Sequence, residues 1–394
     1  MARLPLLTAV QAAARLGVKP ATLYAYVSRG LVGRVRTPSG SLFDPLEIER
    51  FAAGRVRRAA VDTVRASGSP LMVLETDVAV VLDDELFLRG RDAAHLARHS
   101  TPSGLARWLW DMPEPWPEAD PEDAAAIRHA VGALPPAATA LDRLRTAVTV
   151  LAATDPVRAD TSIAQLRRAG ARVLAHVPAA LGRNASPTLW GALSTRDPST
   201  ADLRALDAAL ILLVDHDLAV STMAARMAAT ARGSAYAVIG AALGAFDAPL
   251  HGTASRAARV LLEDVLGRTD ATVAVAAAVA GTGRGVPGFG HPLYTGTDAR
   301  AATLLPLVYA LPGGDRLREA VDAVADVVDR HARARPNVDL ALAALTIAAD
   351  MPADAGTAIF AVGRMVGWIA HAIAEYSQPP LRLRPRGQYV GPMP

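Results

Sequence analysis

The sequence predicts a mostly α-helical protein with more than one domain. Hydrophobic residues make up 51% of its 394 residues and aromatic residues only 5%, so the core must consist mainly of Ala, Leu and Val. Ala and Leu favour helices, and small side chains let helices approach closely. From about residue 122 onward, apolar segments of helical length alternate with Gly, Pro and Asp. A chain of this length is expected to form two or three domains.

The first sixty residues, here called the head, begin with two predicted helices. Thr8 can cap the first helix, which stops at Gly17. Its inward face is expected to consist of Val10, Ala13, Ala14 and Leu16. Pro20 then opens a second helix at 20–29, because the first helical turn tolerates proline, and Gly30 ends it.

The rest of the head predicts a hairpin and a third helix. Ser39-Gly40 marks a tight turn between extended pieces at 33–37 and 41–43, and Asp44-Pro45 opens the helix. Helix, turn, helix, wing, helix is the plan of a winged helix-turn-helix. The stretch LTAVQAAARLGVKPATLYAYVSRGLV, followed by GSLFDPLEIERF, resembles the N-terminal heads of MerR-type regulators and excisionases.

The charge of the chain is unevenly distributed. Residues 1–60 hold ten Lys or Arg and three Asp or Glu, or +7, and the remainder holds 31 and 35, or −4. A basic head favours an anionic partner such as DNA, although Arg also serves as the ordinary cation throughout this chain. Five residues on and beside the predicted reading helix are the candidate DNA contacts: Lys19, Thr22, Tyr24, Arg29 and Arg34.

After a predicted linker at 61–70, strand-like segments at 71–75, 78–82 and 86–88 surround a turn at Asp83-Asp84, which predicts a small hairpin. Four later segments carry apolar residues at helical spacing: 138–153, 162–181, 201–213 and 222–246.

The composition excludes several classes of protein. With no Cys, the chain can form no disulfide, thiolate metal site or Cys nucleophile. The aliphatic runs at 235–246 and 272–281 are shorter than the roughly 18 residues that a membrane span needs. The first 14 residues lack the pattern of a signal peptide. We therefore expect a soluble, cytoplasmic protein.

Three histidines and one aspartate lie in unusual surroundings. His216 stands in DHDL, His251 follows a Pro by two residues and precedes Gly252, and His291 ends GFGH within a segment of five glycines from 281 to 290. Dense glycine lets backbone approach a ligand closely. Asp339 in PNVD opens an apolar helix, where helix capping is the alternative role. Taken singly, each histidine is more often structural than catalytic.

The order of these motifs is more informative than any one of them. HDLAVST, HGTAS, GFGHPLYTGTDAR, PNVD, FAVGRMVGWIAH and RPRGQYVG occur in the order found in citrate synthases. The upstream ETDVAVVLDDELFLRGRDAAHLA also resembles that family's early hairpin and helix. The resemblance extends from about residue 71 to residue 391. It implies an all-helical two-domain body with a small β-hairpin, preceded by the winged helix-turn-helix head.

The resemblance also implies a reaction and the residues that perform it. A Claisen condensation needs a base for the thioester methyl group and hydrogen-bond donors for the enol and the ketone. Asp339 would be the base, His251 the enol donor and His291 the donor to the ketone of oxaloacetate. Four residues match the family's dicarboxylate-binding positions: His216, Arg300, Arg364 and Arg384.

The family's last arginine reaches across from the partner subunit, which implies a homodimer with shared active sites. Aligning RPRGQYVG favours Arg384 for this role and leaves Arg386 open. His371 is interpreted as a structural histidine. The reaction requires no metal and no cofactor besides the CoA thioester, which is a substrate.

The glycine segment implies CoA binding by Arg284, Gly288, Phe289 and Gly290. The sequence departs from the family's usual HGGANE, which is HGTASR here, and from GFGHRVYK, which is GFGHPLYT. The two basic residues that normally follow this histidine and favour the CoA phosphates are therefore missing.

The leading hypothesis is an enzyme that condenses acetyl-CoA, or propionyl-CoA, with oxaloacetate to give citrate, or 2-methylcitrate, and CoA. The alternative is a DNA-binding, metabolite-sensing regulator whose synthase body is weakly active or inactive. A third interpretation makes the head a docking or dimer-stabilising appendage. The resemblance implies a large domain at 71–250 and 346–394 and a small domain at 251–345, with hinges near His251 and Asp339.

Overall fold

The computed structural model describes residues 5–38, 40–60, 74–182, 186–249, 251–282, 285–384, 389 and 391, and it describes the side chains of helix Pro45–Ala60 only as far as Ala53. The predicted linker at 61–70 lies outside the described residues, as do Arg284 and Arg386. Within the described part the chain is mostly helical, with two small antiparallel sheets, as its composition predicts.

The head contains three helices and a three-stranded antiparallel sheet of strand order β1-β3-β2. Thr8 caps α1 and Pro20 occupies the first turn of α2, as predicted, and Gln11 completes a capping box with Thr8. Asp44 accepts the backbone N–H of Leu46 at the start of α3. The elements are β1 (Leu7–Thr8), α1 (Ala9–Arg15), α2 (Pro20–Ser28), β2 (Val35–Thr37), β3 (Gly40–Phe43) and α3 (Pro45–Ala60).

The head has a hydrophobic core of its own. The predicted inward face of α1 is wrong at two positions, because Val10 is 71% exposed and Ala14 is also exposed, whereas Ala12 is buried. The helix is turned so that adjacent positions 12 and 13 face α2 and the sheet, a rotation that spacing alone does not fix. The core consists of Leu7, Ala12, Ala13, Leu16, Leu23, Val32, Phe43 and Ile48.

The body begins with the predicted hairpin, which gains a third strand. β4 (Ala79–Leu82) pairs with β5 (Glu85–Leu88), and β5 pairs with β6 (Arg91–Asp92). Asp83 and Asp84 have φ angles of 51° and 63°, so both adopt the left-handed conformation that tight hairpin turns require.

Fifteen helices follow in the described part of the body. They are α4 (Ala93–His99), α5 (Pro102–Leu109), α6 (Pro121–Gly132), α7 (Ala140–Thr154), α8 (Ile163–Leu181), α9 (Leu189–Leu193), α10 (Thr200–Leu212), α11 (Val220–Thr230), α12 (Ala235–Phe246), α13 (Ser255–Leu266), α14 (Ala271–Thr282), α15 (Ala299–Tyr309), α16 (Gly314–His331), α17 (Val338–Ala348) and α18 (Ala355–Tyr376). The helix predicted over 222–246 is in fact two, because Arg232 adopts a positive φ of 59° and Gly233 follows it.

Helix α18 forms the centre of the body. By length and composition it could cross a membrane, but 94% of its most apolar window is buried inside the protein, so it packs as a core helix. Two of its glycines allow a neighbouring chain segment to pass very close. A Cβ on Gly367 would lie 2.0 Å from the carbonyl oxygen of Val214, and one on Gly363 would lie 2.6 Å from that of Leu210. This close approach brings the end of α10 and residues 213–216 against α18.

The head rests on the body through its first and third helices. Helix α3 contacts α14 and α16, and Ala280 of α14 packs against the core of the head. The side-chain amide of Gln11 donates to the carbonyl oxygen of Ala280 at 3.5 Å. Lys19, Tyr24 and Arg29, on and beside α2, remain exposed.

Candidate active site

The glycine segment before His291 is tied to the segment before Asp339. The N–H of Gly290 donates to the carbonyl oxygen of Arg335 at 2.8 Å, and the N–H of Asn337 donates to that of Gly288 at 2.9 Å. The Asn337 side chain donates to the Gly290 carbonyl oxygen at 2.8 Å. Two residues distant in sequence, His291 and Asp339, are thereby held on adjoining strands of chain.

The glycines of this segment serve close packing. Gly288 and Gly290 have φ angles of +81° and +76°, and a Cβ on Gly288 would lie 2.9 Å from Leu340. The N–H groups of Phe289 and Gly290 already donate to carbonyl oxygens of the protein. These two N–H groups are therefore not free to bind CoA, to which the sequence assigns this segment.

Asp339 lies in the first turn of α17 with an unsatisfied carboxyl group. Asn337 provides the helix cap by accepting the N–H of Asp339 at 3.0 Å, so the carboxylate is not needed for capping. Its buried Oδ1 has no hydrogen-bond partner among the described residues. Burial raises the pKa of Asp339 to about 6, with Arg300 opposing the shift and Asp298 adding to it. The group is poised as a base near neutral pH.

His291 has a defined tautomer. Its Nδ1 accepts the backbone N–H of Leu293 at 3.1 Å, so the proton of the neutral ring is on Nε2. Burial lowers the pKa of His291 to about 4, helped by the positive charges of Arg300 and Arg364. At neutral pH the residue is therefore an uncharged donor through Nε2.

His251 is held by a chain of hydrogen bonds. Trp368 Nε1 donates to Ser221 Oγ at 3.2 Å, and Ser221 Oγ lies 2.7 Å from Nε2 of His251. No other acceptor for the Ser221 hydroxyl lies among the described residues, so its proton is directed to Nε2, which leaves the His251 proton on Nδ1. Burial lowers the pKa of His251 to about 4, with a contribution from Arg364. Gly252 is required beside it, because a Cβ there would lie 2.2 Å from the Phe246 ring.

His216 and Tyr294 join the same group. The Tyr294 hydroxyl lies 2.9 Å from Nε2 of His216, and the rings of His216 and His291 are 4.6 Å apart in an edge-to-face arrangement. Burial, with the positive charges of Arg300 and Arg364, holds the pKa of His216 far below its usual value. His216 is neutral at all physiological pH values.

Two buried arginines differ in their partners. Arg300 is bound by both oxygens of Asp298, at 3.0 and 2.8 Å. Burial alone would raise the pKa of Asp298, but Arg300 and backbone N–H groups hold it below its usual value. Asp298 also accepts the N–H of Val338 at 3.0 Å, which links Arg300 to the start of α17.

Arg364 has no carboxylate within ion-pair distance in the described part of the chain, although it is only 1% exposed. Its Nε donates to the carbonyl oxygen of Leu213 at 2.7 Å, and its guanidinium lies over the Phe360 ring. Burial lowers the pKa of Arg364 to about 10. An unpaired buried guanidinium is costly unless an anionic ligand completes it.

Arg384 is exposed and forms no described bond to the other predicted site residues of its own chain. The neighbouring Arg382 instead pairs with the buried Glu375 at 2.6 Å. His371, interpreted as structural, bonds Asp215 at 2.8 Å in the core behind His216. In the described ranges, no three His, Cys, Asp or Glu residues are grouped so as to hold a metal ion.

A family model described as the citrate synthase C-terminal domain matches residues 69–386, more than three quarters of the chain. The chain belongs to the citrate synthase family. The match leaves out the head and covers all of the site residues described above.

Curated citrate synthase relatives match parts of the chain. Citrate synthase 2 of Bacillus subtilis (strain 168) is 34% identical over 203 residues, which are 51% of this chain and 54% of that protein. 2-Methylcitrate synthase 1 of Corynebacterium glutamicum is 26% identical over 292 residues, 68% of this chain and 76% of that protein. The chain spans about half the length of the four curated citrate synthases that head the comparison.

Solved citrate synthase structures share the fold. The enzyme from Thermotoga maritima superposes with a TM-score of 0.65 at 24% identity, covering 84% of this chain and 97% of that one. The Thermoplasma acidophilum citrate synthase, solved with carboxymethyl coenzyme A and oxaloacetate, gives a TM-score of 0.69 at 20% identity over the same shares.

Family motifs alone missed several residues that hold the candidate site together. Tyr294 and Asp298 lie inside the motif GFGHPLYTGTDAR, so their position was a signal that could have been used. Ser221 similarly lies inside HDLAVST. Trp368 was visible only as a large residue on an apolar helix.

Proposed function

We propose that the protein condenses acetyl-CoA or propionyl-CoA with oxaloacetate, releasing citrate or 2-methylcitrate and free CoA. The observation that carries this proposal is a set of groups that lack partners among the described residues: a buried carboxyl oxygen of Asp339 without a hydrogen bond and the buried guanidinium of Arg364 without a carboxylate, together with the neutral histidines His251 and His291. A base, a carboxylate receptor and two uncharged donors are what the condensation requires.

In the proposed reaction, Asp339 takes a proton from the methyl carbon of the thioester. The Nδ1–H of His251 holds the enol oxygen, and the enol carbon attacks the ketone carbon of oxaloacetate. The Nε2–H of His291 donates to the ketone oxygen as it gains negative charge. Water then cleaves the thioester, which releases CoA. Neutral histidines suit both donor roles, because their protons are fixed by Ser221 and by the Leu293 N–H.

The carboxylates of oxaloacetate would bind to His216, Arg300, Arg364 and, from the partner, Arg384. Arg364 is the strongest member of this set, since no carboxylate of the described chain neutralises it. Arg300 already holds Asp298, so its contribution is as a donor with a fixed position. We place the CoA moiety beside the glycine segment, near Gly288 and Gly290, with no metal or further cofactor.

A homodimer is part of the proposal, and an apolar face of the body supports it. Helix α11, which packs against α12, presents Val220, 70% exposed, and Met227, 40% exposed. On α12, a stripe of small residues at helical spacing lies at the surface: Ala237, Gly240, Ala241 and Gly244. Such a face allows the helices of a second copy to pack closely, and Arg384 is free to reach that copy.

We assign residues 71–250 and 346–394 to a large domain and 251–345 to a small domain that closes over the substrates. The hydrogen bonds from Gly290 to Arg335 and from Asn337 to Gly288 support moving His291 and the start of α17 as one unit. A reaction on CoA and oxaloacetate, and the absence of Cys, suit the cytoplasm.

The test is a CoA-release assay on the purified full chain with oxaloacetate plus either acetyl-CoA or propionyl-CoA. We expect oxaloacetate-dependent release with at least one of them, and the ratio of the two kcat/KM values identifies the acyl substrate. Omitting oxaloacetate measures background hydrolysis. Release no faster than that background with both thioesters would contradict the proposal.

A DNA-binding regulator is the second candidate function, and the exposed face of the head favours it. The head keeps the helix, turn, helix, wing, helix order that we interpret as a winged helix-turn-helix of the MerR or excisionase type. Lys19, Tyr24 and Arg29 are exposed, and Arg34 lies 5.8 Å from the Tyr24 ring. The appendage interpretation is favoured instead by the packing of Ala280 into the core of the head.

A further inference from the structure

The loop between the two site residues His291 and Arg300 is largely exposed. Residues 292, 293 and 295–297 are open to solvent, whereas Tyr294 is buried against His216. A loop of this kind is a weak support for groups that must be held to a fraction of an ångström. Its attachments outside the loop therefore decide how well His291 and Tyr294 are positioned.

The β4–β5 hairpin provides such an attachment from a distant part of the chain. Oδ1 of Asp84 accepts the N–H of Thr295 at 2.7 Å, and Oδ2 accepts the Thr295 hydroxyl and the Gly296 N–H, both at 2.8 Å. We call these three hydrogen bonds the Asp84 latch. They hold the pKa of Asp84 below its usual value, through the Thr295 backbone first and its side chain second.

Both partners of the latch are shaped for it. Asp84 sits at a left-handed turn position that aims its side chain away from the hairpin, and the hairpin is anchored in the core by Leu86 and Leu88. Across from it, a Cβ on Gly296 would lie 2.9 Å from Oδ2 of Asp84, so a side chain there would displace the Asp84 carboxylate. Successive N–H groups plus a hydroxyl form a small anion site whose anion is the protein's own carboxylate.

We propose that Asp84 is a positioning residue for the oxaloacetate side of the site. By holding Thr295 and Gly296 it fixes the loop that carries Tyr294, which bonds His216, and His291, whose tautomer depends on the Leu293 N–H of the same loop. This inference rests on the proposed condensation for its kinetic readout. Asp84 touches no reacting atom and acts only through the loop.

The test compares Asp84→Asn with Asp83→Asn in the full-length protein. Asp83 is the exposed neighbour in the same turn, also at positive φ, so its variant removes the same charge and is equally tolerated by the backbone. An Asn at position 84 keeps one acceptor, but its amide nitrogen opposes the other donors. Thermal unfolding of both variants checks that the fold is retained.

Two measurements decide the outcome. We expect hydrogen exchange of peptides covering 292–298 to become about 10-fold faster in Asp84→Asn and to stay as in wild type in Asp83→Asn, because hydrogen bonds to a charged group are strong ones. We also expect the KM for oxaloacetate to rise about 5- to 10-fold in Asp84→Asn, with the KM for the acyl-CoA unchanged, since the latch fixes only this side of the site.

Unchanged exchange in Asp84→Asn would overturn the latch. Faster exchange with the same oxaloacetate KM as Asp83→Asn would overturn its positioning role. If wild-type protein releases no CoA, the proposed condensation fails. Hydrogen exchange measured with and without oxaloacetate then decides the inference. Oxaloacetate should slow the exchange of 292–298 in wild type and should fail to do so in Asp84→Asn. The same effect of oxaloacetate on both proteins would refute the inference.

Discussion

Two clusters of buried and half-buried polar side chains in the body differ in how completely they satisfy their own hydrogen bonds. In the first, called the Arg172 cluster, the Arg172 guanidinium binds Asp123 and the Tyr236 hydroxyl, and Tyr236 donates to Asp155 at 2.8 Å. Gln165 donates to the same Asp155 oxygen at 3.0 Å. No side-chain N or O atom of these five residues is left without a partner.

The second, the site cluster, is built from similar chemical groups with the opposite result. Oδ1 of Asp339 and Oδ1 of Asp215 are buried without a partner, and Arg364 faces no carboxylate within ion-pair distance in the described ranges. Its members are His216, His251, His291, Arg300, Arg364, Asp339 and the adjoining Asp215.

The difference separates stability from function. A satisfied network of charges joins α6, α7, α8 and α12 and fixes their packing, because each buried polar group there finds a partner. The unsatisfied groups of the site cluster carry an energetic cost that folding alone does not require. In the proposed reaction two substrates would meet those groups: oxaloacetate brings two carboxylates, and the acyl thioester brings the acidic C–H.

The largest expected effect comes from Asp339→Asn, which keeps the shape of the side chain and removes the base. We predict a loss of CoA release of at least about 100-fold, at the low end of what a positioned base supplies. Turnover close to wild type in a folded variant would show that the site cluster has another base.

The same variant, compared with the wild type at several pH values, tests how much the unsatisfied carboxylate of Asp339 destabilises the fold. The pKa of Asp339 is raised to about 6 in the folded protein, above its unfolded value, so its protonated form stabilises the fold at low pH and that contribution is lost as pH rises through about 6. The kcat/KM of the wild type should therefore rise with pH through about 6, as Asp339 loses its proton. At pH 8 the melting temperature of Asp339→Asn should be no lower than that of the wild type. The advantage of the variant should shrink toward pH 4.

Arg384→Ala asks whether the site cluster is completed by a second chain. We expect the KM for oxaloacetate to rise about 10- to 100-fold, because a charged hydrogen bond is lost, with a smaller change for the acyl-CoA. Refolding a mixture of Arg384→Ala and Asp339→Asn chains should restore roughly a quarter of wild-type activity, since half of the random dimers carry one intact site.

If hybrid dimers are shown to form and no activity is recovered, the shared site is contradicted. Arg382→Ala is the matched control, because Arg382 pairs with Glu375 in its own chain. Any activity that this variant loses should not be recovered when its chains are mixed with Asp339→Asn chains.

One matched pair of variants removes a tyrosine hydroxyl from the Arg172 cluster and a tyrosine hydroxyl that bonds His216 of the site cluster. Tyr236→Phe should lower the free energy of unfolding by about 1–2 kcal/mol, because Asp155 and Arg172 both lose a buried partner, and should leave kcat/KM within about 2-fold. Tyr294→Phe should instead lower kcat/KM about 10-fold, because His216 loses the hydroxyl that bonds its ring. The free energy of unfolding should change little in this variant. Denaturant unfolding and CoA release on both proteins measure this. Equal effects on stability and activity in the two variants would remove the distinction between the clusters.

The smallest expected effect concerns the exposed charges of the head, which belong to neither cluster. Lys19→Gln combined with Arg29→Gln should weaken duplex DNA binding by a few-fold at low salt and reduce its salt dependence by about two ions. Arg204→Gln, on the exposed face of α10, is the control. Fluorescence anisotropy at several salt concentrations gives both values, and identical titrations for the two proteins would favour the docking role of the head.

Much of the fold follows from local sequence. Thr8 and Gln11, Pro20, and the Asp83-Asp84 turn determine where elements start and reverse, because caps and turns depend on residues a few positions apart. The same local reasoning gave the wrong inward face for α1, at Val10 and Ala14, since which side of a short helix is buried depends on what packs against it.

The sequence by itself determined the helical class and the order of the site motifs, and it supplied most of the candidate site residues. It could not determine which proton each histidine carries, that Asp298 holds Arg300 while Arg364 stays unpaired, or that Asp84 reaches a loop 211 residues away. Those properties depend on distances between elements far apart in the chain. Burial then sets the charge states, because the pKa of a carboxyl or an imidazole responds to the solvent and charges that the folded protein removes or places beside it.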